Sequence, residues 1–285
     1  MLPTPTEWYE TAEGVPILVK REDQCTPEGG PPFSKMRGVR AYFSRIREEG
    51  ARQVIYVESA VSMAGWGAAW MARQEGMECI IFDPQYKGEN PPLLEVHRKQ
   101  WDDLGALRIP VQAGRTSVNW YMARRWRDEN APGAVLLPIG LNLEESIQAA
   151  KDEAGLMSTR PGSVVVCVGS GTIAAGLMAA FSPLGVDVYG ILVREGNVRR
   201  KVRKMYQMAG VIPEGLLGGP GRLLLEDPGW DYAKPSRVPC PFPTHPWYDG
   251  KAWEWLETEA PRLPQPIVFW NIGRLPCVMD TTTGS

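Results

Sequence analysis

Lys35 stands between a turn-forming run, Glu28-Gly29-Gly30-Pro31-Pro32, and a stretch that reads as a helix over residues 39–49. Turns that precede helices on α/β scaffolds are where sites are commonly built. A lysine drawn out of bulk water there, with its pKa lowered, forms a Schiff base with an aldehyde cofactor. A lone lysine at a helix start is more often simply solvated, so the case rests on the company Lys35 keeps. Gly169-Ser170-Gly171-Thr172 follows an apolar run and opens a second helix. Such a turn presents free backbone N–H groups and the positive dipole end to a phosphate, with the Ser170 and Thr172 hydroxyls as further donors. A tight strand-to-helix connection also favours glycine, and this stretch alone does not separate the two readings. It is not a G-x-G-x-x-G fingerprint, because Ala174 occupies the third glycine position, nor a P-loop, since no lysine follows. A third stretch, His245-Pro246-Trp247-Tyr248-Asp249-Gly250-Lys251, brings a phenol and a carboxylate to another helix start.

The elements that must position these residues alternate. Residues 15–21 form a short apolar run ending in charges, read as an edge strand because of Pro16. Buried strands are expected over 53–57, 78–82, 107–111, 134–137, 163–168, 187–193 and 266–270. Helices are expected to end near 50, 74, 104, 127, 154, 181 and 256, and one further helix carries Arg199, Arg200, Lys201, Arg203 and Lys204. That basic run reads as a solvated helix face, with a phosphate contact as the weaker alternative. Alternation at these spacings implies parallel sheets with helices on their faces, an α/β protein. Residues 155–162 read as a crossing between lobes, which gives a large lobe of 1–50 with 155–285 and an inserted lobe of 51–154. The glycine- and proline-rich stretch 213–243 reads as irregular.

The bulk numbers narrow the chemistry. At 285 residues the chain can bury a substantial core in one or two lobes. With 31 basic and 33 acidic residues, no global charge steers it to nucleic acid or an anionic membrane. No apolar run spans a bilayer, and the first residues lack the pattern of a signal peptide, so a cytoplasmic setting is expected. Cys25, Cys79, Cys167, Cys240 and Cys277 are scattered and never C-x-x-C, which argues for reduced thiols rather than disulfides or zinc. Only His97 and His245 are available, which disfavours a histidine metal centre or a His-based triad.

Four motifs together resemble the tryptophan-synthase-like (fold type II) pyridoxal-phosphate enzymes, nearest the 1-aminocyclopropane-1-carboxylate deaminase and D-cysteine desulfhydrase subgroup. The first is Lys20-Arg21-Glu22-Asp23 with Phe33-Ser34-Lys35-Met36-Arg37-Gly38, which resembles the segment bearing the Schiff-base lysine. The second is residues 59–76, placed like the family's serine- and asparagine-bearing substrate loop, with Ser62 on the serine position and Met63 on the asparagine. The third is Gly169-Ser170-Gly171-Thr172, similar to the phosphate cup. The fourth is Pro246-Trp247-Tyr248-Asp249-Gly250-Lys251-Ala252, similar to the subgroup's P-V-Y-[ET]-G-K-[AS], followed by the late turn 269–276.

The resemblance implies pyridoxal 5′-phosphate bound by Lys35, Gly169, Ser170, Gly171, Thr172 and Asp249, with Lys35, Tyr248 and Ser62 catalytic. It also implies a two-lobed, three-layer fold of parallel sheets and, as is common among relatives, a homodimer. Asp249 beside the pyridine nitrogen would keep the ring a strong electron sink. Met63, Ile272, Trp66 and Trp70 depart from the family pattern, so the deaminase and desulfhydrase activities do not transfer directly. The expectation is a lyase or decarboxylase acting at the α-carbon of an amino-acid-like amine. A narrower form has the substrate as a glycine attached to thymine in bacteriophage DNA, with Trp66, Trp70 and the basic helix meeting the base and backbone. The alternatives are a deaminase or desulfhydrase of a free small amino acid, and a binding module that keeps the fold without the chemistry.

Overall fold

The structure, a computed structural model, describes residues 3–208, 210 and 221–276. Contacts divide the chain into two compact units, residues 1–27, 32–37 and 144–285, and residues 28–31 and 38–143.

The first unit is built on a six-stranded sheet of order β1-β2-β10-β7-β8-β9. Its strands are β1 (Thr6–Glu10), β2 (Pro16–Arg21), β7 (Ser163–Val168), β8 (Asp187–Leu192), β9 (Leu223–Glu226) and β10 (Ile267–Asn271). β1 pairs antiparallel with β2 and every other pairing is parallel. Side chains alternate between the two faces with the period of two that a strand imposes. Val164, Val166, Val168, Val268 and Trp270 enter one core with α6 (Thr172–Phe181) and α7 (Val198–Met208). Val165, Cys167, Ile267 and Phe269 enter the other with α8 (Asp249–Glu259). All six β7 residues are buried, as expected for a central parallel strand covered on both faces.

The second unit carries a four-stranded sheet of order β5-β4-β3-β6, from β3 (Gln53–Val57), β4 (Glu78–Gln85), β5 (Leu107–Gln112) and β6 (Val135–Leu136). Its helices are α1 (Met36–Glu48, from Gly38 onward), α2 (Ala64–Gln74), α3 (Pro92–Asp103) and α4 (Thr116–Asn130). Ile55, Val57, Ile80, Phe82 and Val111 form its core. α5 (Glu144–Gly155) belongs to the first unit.

Three details differ from the sequence reading. β2 is not an edge strand, because Pro16 occupies its first position and leaves the ladder free to pair with both β1 and β10. The edge is β1, which the sequence reading lacked. β9 lies inside the stretch expected to be irregular. The division between units also falls elsewhere. Most of α1 joins the second unit, where Ser44 donates to Glu75 at 3.0 Å and Arg47 pairs with Glu75 at 3.2 Å. α5 joins the first, where it approaches α6 so closely that a Cβ on Gly176 would lie 2.5 Å from the Ile147 carbonyl. Among the described residues, no helix is long and apolar enough to cross a membrane.

Candidate active site

Lys20-Arg21-Glu22-Asp23 is a run of four charged residues, and all four are buried. Burying charge is tolerable only when it is paired, and each of these is. Lys20 Nζ meets Glu153 at 2.6 Å. Arg21 grips Asp23 through two 2.9 Å bonds and Glu7 through one of 2.6 Å. Glu22 accepts from Arg37 and from the Thr4 hydroxyl, and Arg37 reaches Glu153 at 3.3 Å. Arg37 follows Lys35 by two residues, so this network anchors the segment that carries the lysine.

A second set of bonds fixes the same segment from the other side. Ser34 N donates to the Ile272 carbonyl at 2.8 Å, and Arg274 N donates to the Pro32 carbonyl at 3.2 Å. Phe33 forms an antiparallel bridge with Gly273. The turn 272–274 also binds Asp249, whose carboxylate accepts from Ile272 N at 2.8 Å and Gly273 N at 3.2 Å. One turn thus couples the Lys35 segment to Asp249.

Lys35 Nζ donates to Ser170 Oγ at 2.9 Å, and the Ser170 and Thr172 hydroxyls lie 2.9 Å apart. Burial lowers the Lys35 amine from its ordinary value to about 8, with the positive charge of Lys204 acting the same way. An amine in that range exchanges between its charged and neutral forms near neutral pH. Gly171 caps α6 at φ +93°, a left-handed conformation that favours glycine. A Cβ there would also strike Met205 at 2.7 Å, and one on Gly169 would come within 3.2 Å of the Tyr248 ring. The loop is therefore a shallow cradle at a helix N-terminus, with two hydroxyls and an amine around it.

Tyr248 is the N-terminal cap residue of α8 and Asp249 its first residue. Asp249 is fully buried, and burial raises its carboxyl to about 7 even with three donors around it. The third donor is the Cys167 thiol, 3.4 Å away. Burial pushes that thiol well up, and the Asp249 carboxylate adds to the effect. Cys167 meets Asp249 because it alternates onto the face of β7 that α8 covers.

Of the expected site residues, Lys35, Gly169, Ser170, Gly171, Thr172, Tyr248 and Asp249 come together in the first unit. Ser62 lies in the second unit. There it accepts from Ala64 N at 3.1 Å at the start of α2, a helix-capping bond. In the same loop the Glu58 carboxylate accepts from Ser59 N at 2.7 Å and Gly65 N at 2.5 Å. Burial pushes Glu58 up to about 8. Trp66 is buried and Trp70 half-buried on α2.

Two residues escaped the sequence reading. Tyr232 sits in the stretch read as irregular, yet its hydroxyl lies 2.5 Å from that of Tyr248 with the rings edge-on. Cys167 looked like an ordinary core residue. No local pattern marks Tyr232; the D-Y pair at 231–232 is a loop like many others. For Cys167 the period of two along β7 was the available signal.

The donor set suits pyridoxal phosphate. The cradle, its hydroxyls and the α6 N-terminus fit a phosphate, Lys35 supplies the amine, and buried Asp249 supplies an acceptor for a ring nitrogen. Comparisons with known proteins agree. The family model described as "Pyridoxal-phosphate dependent enzyme" matches residues 1–215. The glycyl-dTMP PLP-dependent decarboxylase of Pseudomonas phage M6 is 35% identical over 95% of this chain and 98% of its own. The tryptophan synthase beta chain of Acinetobacter calcoaceticus is 26% identical over 78% of this chain and 56% of its own. Among solved structures, a homologue of ACC deaminase superposes with a TM-score of 0.76 at 20% identity, covering 96% of this chain and 90% of that one. This likeness is one of fold. The chain belongs to the pyridoxal-phosphate-dependent enzymes, and its cofactor is pyridoxal 5′-phosphate.

Proposed function

We propose that the protein is a decarboxylase acting at the α-carbon of a glycyl group carried on a thymidine nucleotide. The observation that carries this reading is the likeness, at 35% identity across nearly the whole of both chains, to a protein described as a glycyl-dTMP PLP-dependent decarboxylase.

The site residues can be given roles consistent with that chemistry. Lys35 would hold the cofactor, and its amine, with a pKa lowered to about 8 by burial, would be suited to act as a base. Ser170, Thr172 and the N–H groups at the start of α6 hold the phosphate. Asp249 is oriented by Ile272 N, Gly273 N and Cys167, and its role is to bond the ring nitrogen. When bound, pyridoxal phosphate supplies the electron sink for the pair left behind when carbon dioxide departs. Tyr248, hydrogen-bonded to Tyr232, delivers the proton that replaces the carboxylate.

The test is direct. Purified protein with pyridoxal phosphate is incubated with synthetic glycyl-modified thymidylate, and carbon dioxide and the nucleotide product are quantified. One carbon dioxide per decarboxylated amine is the expected result. Ammonia release without carbon dioxide would replace this reading with a deaminase.

A further inference from the structure

Beside the cradle lies a group of cations with few acids to balance it. Arg194 lies two residues past the end of β8, and Lys201 and Lys204 stand three apart on α7, the spacing that brings side chains onto one helix face. The group is tied to the site at two points. Lys204 is close enough to Lys35 for its charge to act on that amine. The Arg194 guanidinium lies 5.7 Å from the centroid of Tyr232, the ring whose hydroxyl bonds Tyr248.

Lys201 is the telling member. Its ammonium is buried and has no hydrogen-bond partner among the described residues. Its neighbours make this worse, since Arg194 and Lys204 both repel it. Asp227 attracts it, but no hydrogen bond joins the two; the Asp227 carboxylate accepts from Gly196 N at 3.0 Å and Gly229 N at 3.1 Å. A Cβ on Gly196 would lie 3.8 Å from the Lys201 ammonium, so the loop runs close against it. Arg194 and Lys204 are exposed and can be reached from solvent. A buried ammonium flanked by two exposed cations is what an anion-binding site requires, because a multiply charged oxyanion satisfies all three at once.

The cofactor phosphate already has its own donors in Ser170, Thr172 and the α6 N-terminus. We propose that Arg194, Lys201 and Lys204 form a second phosphate site, which binds the phosphate of the substrate nucleotide. This rests on the reading of the substrate as a nucleotide, and it adds the residues that would recognise the nucleotide end. The shared chemistry is a phosphate ester, which comes either as the terminal monoester of a free nucleotide or as the diester of a DNA strand.

The probes are thymidine, thymidine 5′-monophosphate and a short oligothymidylate without terminal phosphate. Each is titrated calorimetrically into protein loaded with pyridoxal phosphate, for the wild type and for Lys201→Met and Lys204→Met, which keep the apolar stems. Thermal unfolding confirms that each variant is folded. The wild type is expected to prefer thymidine 5′-monophosphate over thymidine by about tenfold or more, with either variant losing most of that preference. An equal preference for the oligonucleotide assigns the site to a strand phosphate, and a preference confined to the monophosphate assigns it to a free nucleotide. Cofactor affinity, followed by the visible absorption of bound pyridoxal phosphate, stays within about twofold in Lys201→Met; Lys204→Met is read for nucleotide preference alone, because the Lys204 charge acts on Lys35.

The proposal fails if thymidine and its monophosphate bind alike, or if both variants keep the preference. It also fails if Lys201→Met loses the cofactor instead, which would assign these cations to the cofactor phosphate. Carbon dioxide release without phosphate preference would remove this site and leave the reaction standing. Phosphate preference without carbon dioxide release would do the reverse.

Discussion

Arg37→Met tests whether the buried ion network holds the Lys35 segment. Lys20, Arg37, Glu22 and Glu153 form an electrically neutral set, with side chains only 3, 9, 1 and 3% exposed. Methionine keeps most of the apolar stem and removes the guanidinium, and with it the bonds to Glu22 at 3.0 and 3.1 Å and to Glu153 at 3.3 Å. Two buried carboxylates then share one ammonium, and breaking such a set costs about 3–5 kcal/mol. That is a large part of the roughly 5–15 kcal/mol by which a domain is stable.

The pH dependence gives the sign. Burial already holds Glu22 above its ordinary value, and Arg37 is foremost among the groups that pull it back. Without Arg37 its folded pKa rises further, so the folded protein carries a proton there that the unfolded chain does not. Stability then falls as pH rises through that window. The loss on substitution is therefore smaller at mildly acidic pH, where Glu22 is protonated, than at mildly alkaline pH. Urea unfolding at both values, read by linear extrapolation, measures it, and cofactor affinity should fall alongside. A loss under about 1 kcal/mol, the size of a surface pair, or an equal loss at both pH values, would refute the reasoning.

Other outcomes follow from the same geometry. Gly171→Ala forces a left-handed residue at about 1–2 kcal/mol and drives a methyl into Met205, so cofactor affinity drops with stability in an equilibrium titration. Tyr248→Phe lowers turnover by about 10²–10⁴-fold while pyridoxal phosphate still binds, as steady-state rates and absorbance would report. Glu58 has a folded pKa of about 8 against an ordinary 4.5, so its contribution to stability declines as pH rises between those values. Glu58→Gln removes that titration and flattens stability against pH by up to about 1.4 kcal/mol for each pH unit there, measured against the wild type by chemical denaturation.

The parallel strands were legible because Val164 to Val168 and Ile267 to Trp270 are continuous apolar runs, which is what burial on both faces of a sheet requires. Lys35 and the Gly169–Thr172 loop stood out as candidates because turn chemistry and helix starts leave local marks, while the roles expected of them and of Asp249 came from the family resemblance. β1 was not legible, since Thr6-Glu7-Trp8-Tyr9-Glu10 covers one edge and alternates exposed with half-buried residues. Nothing local marks the four charges Lys20 to Asp23 as buried; their burial depends on Glu153, Arg37, Glu7 and Asn271, partners that sequence proximity does not reveal. Tyr232 belongs with Tyr248 only because the loop before α8 folds back, with the Lys251 ammonium bonded to the Asp231 and Val193 carbonyls. Long-range pairing of this kind is written in the fold and not in any local pattern.

The measurement that tests the central claim most directly is the chemical location of the cofactor. Protein loaded with pyridoxal phosphate is reduced with borohydride, digested and mapped by mass spectrometry. The account predicts a pyridoxyl group on the peptide carrying Lys35 and its disappearance in Lys35→Ala. A label on another lysine, or none in the wild type, would contradict it.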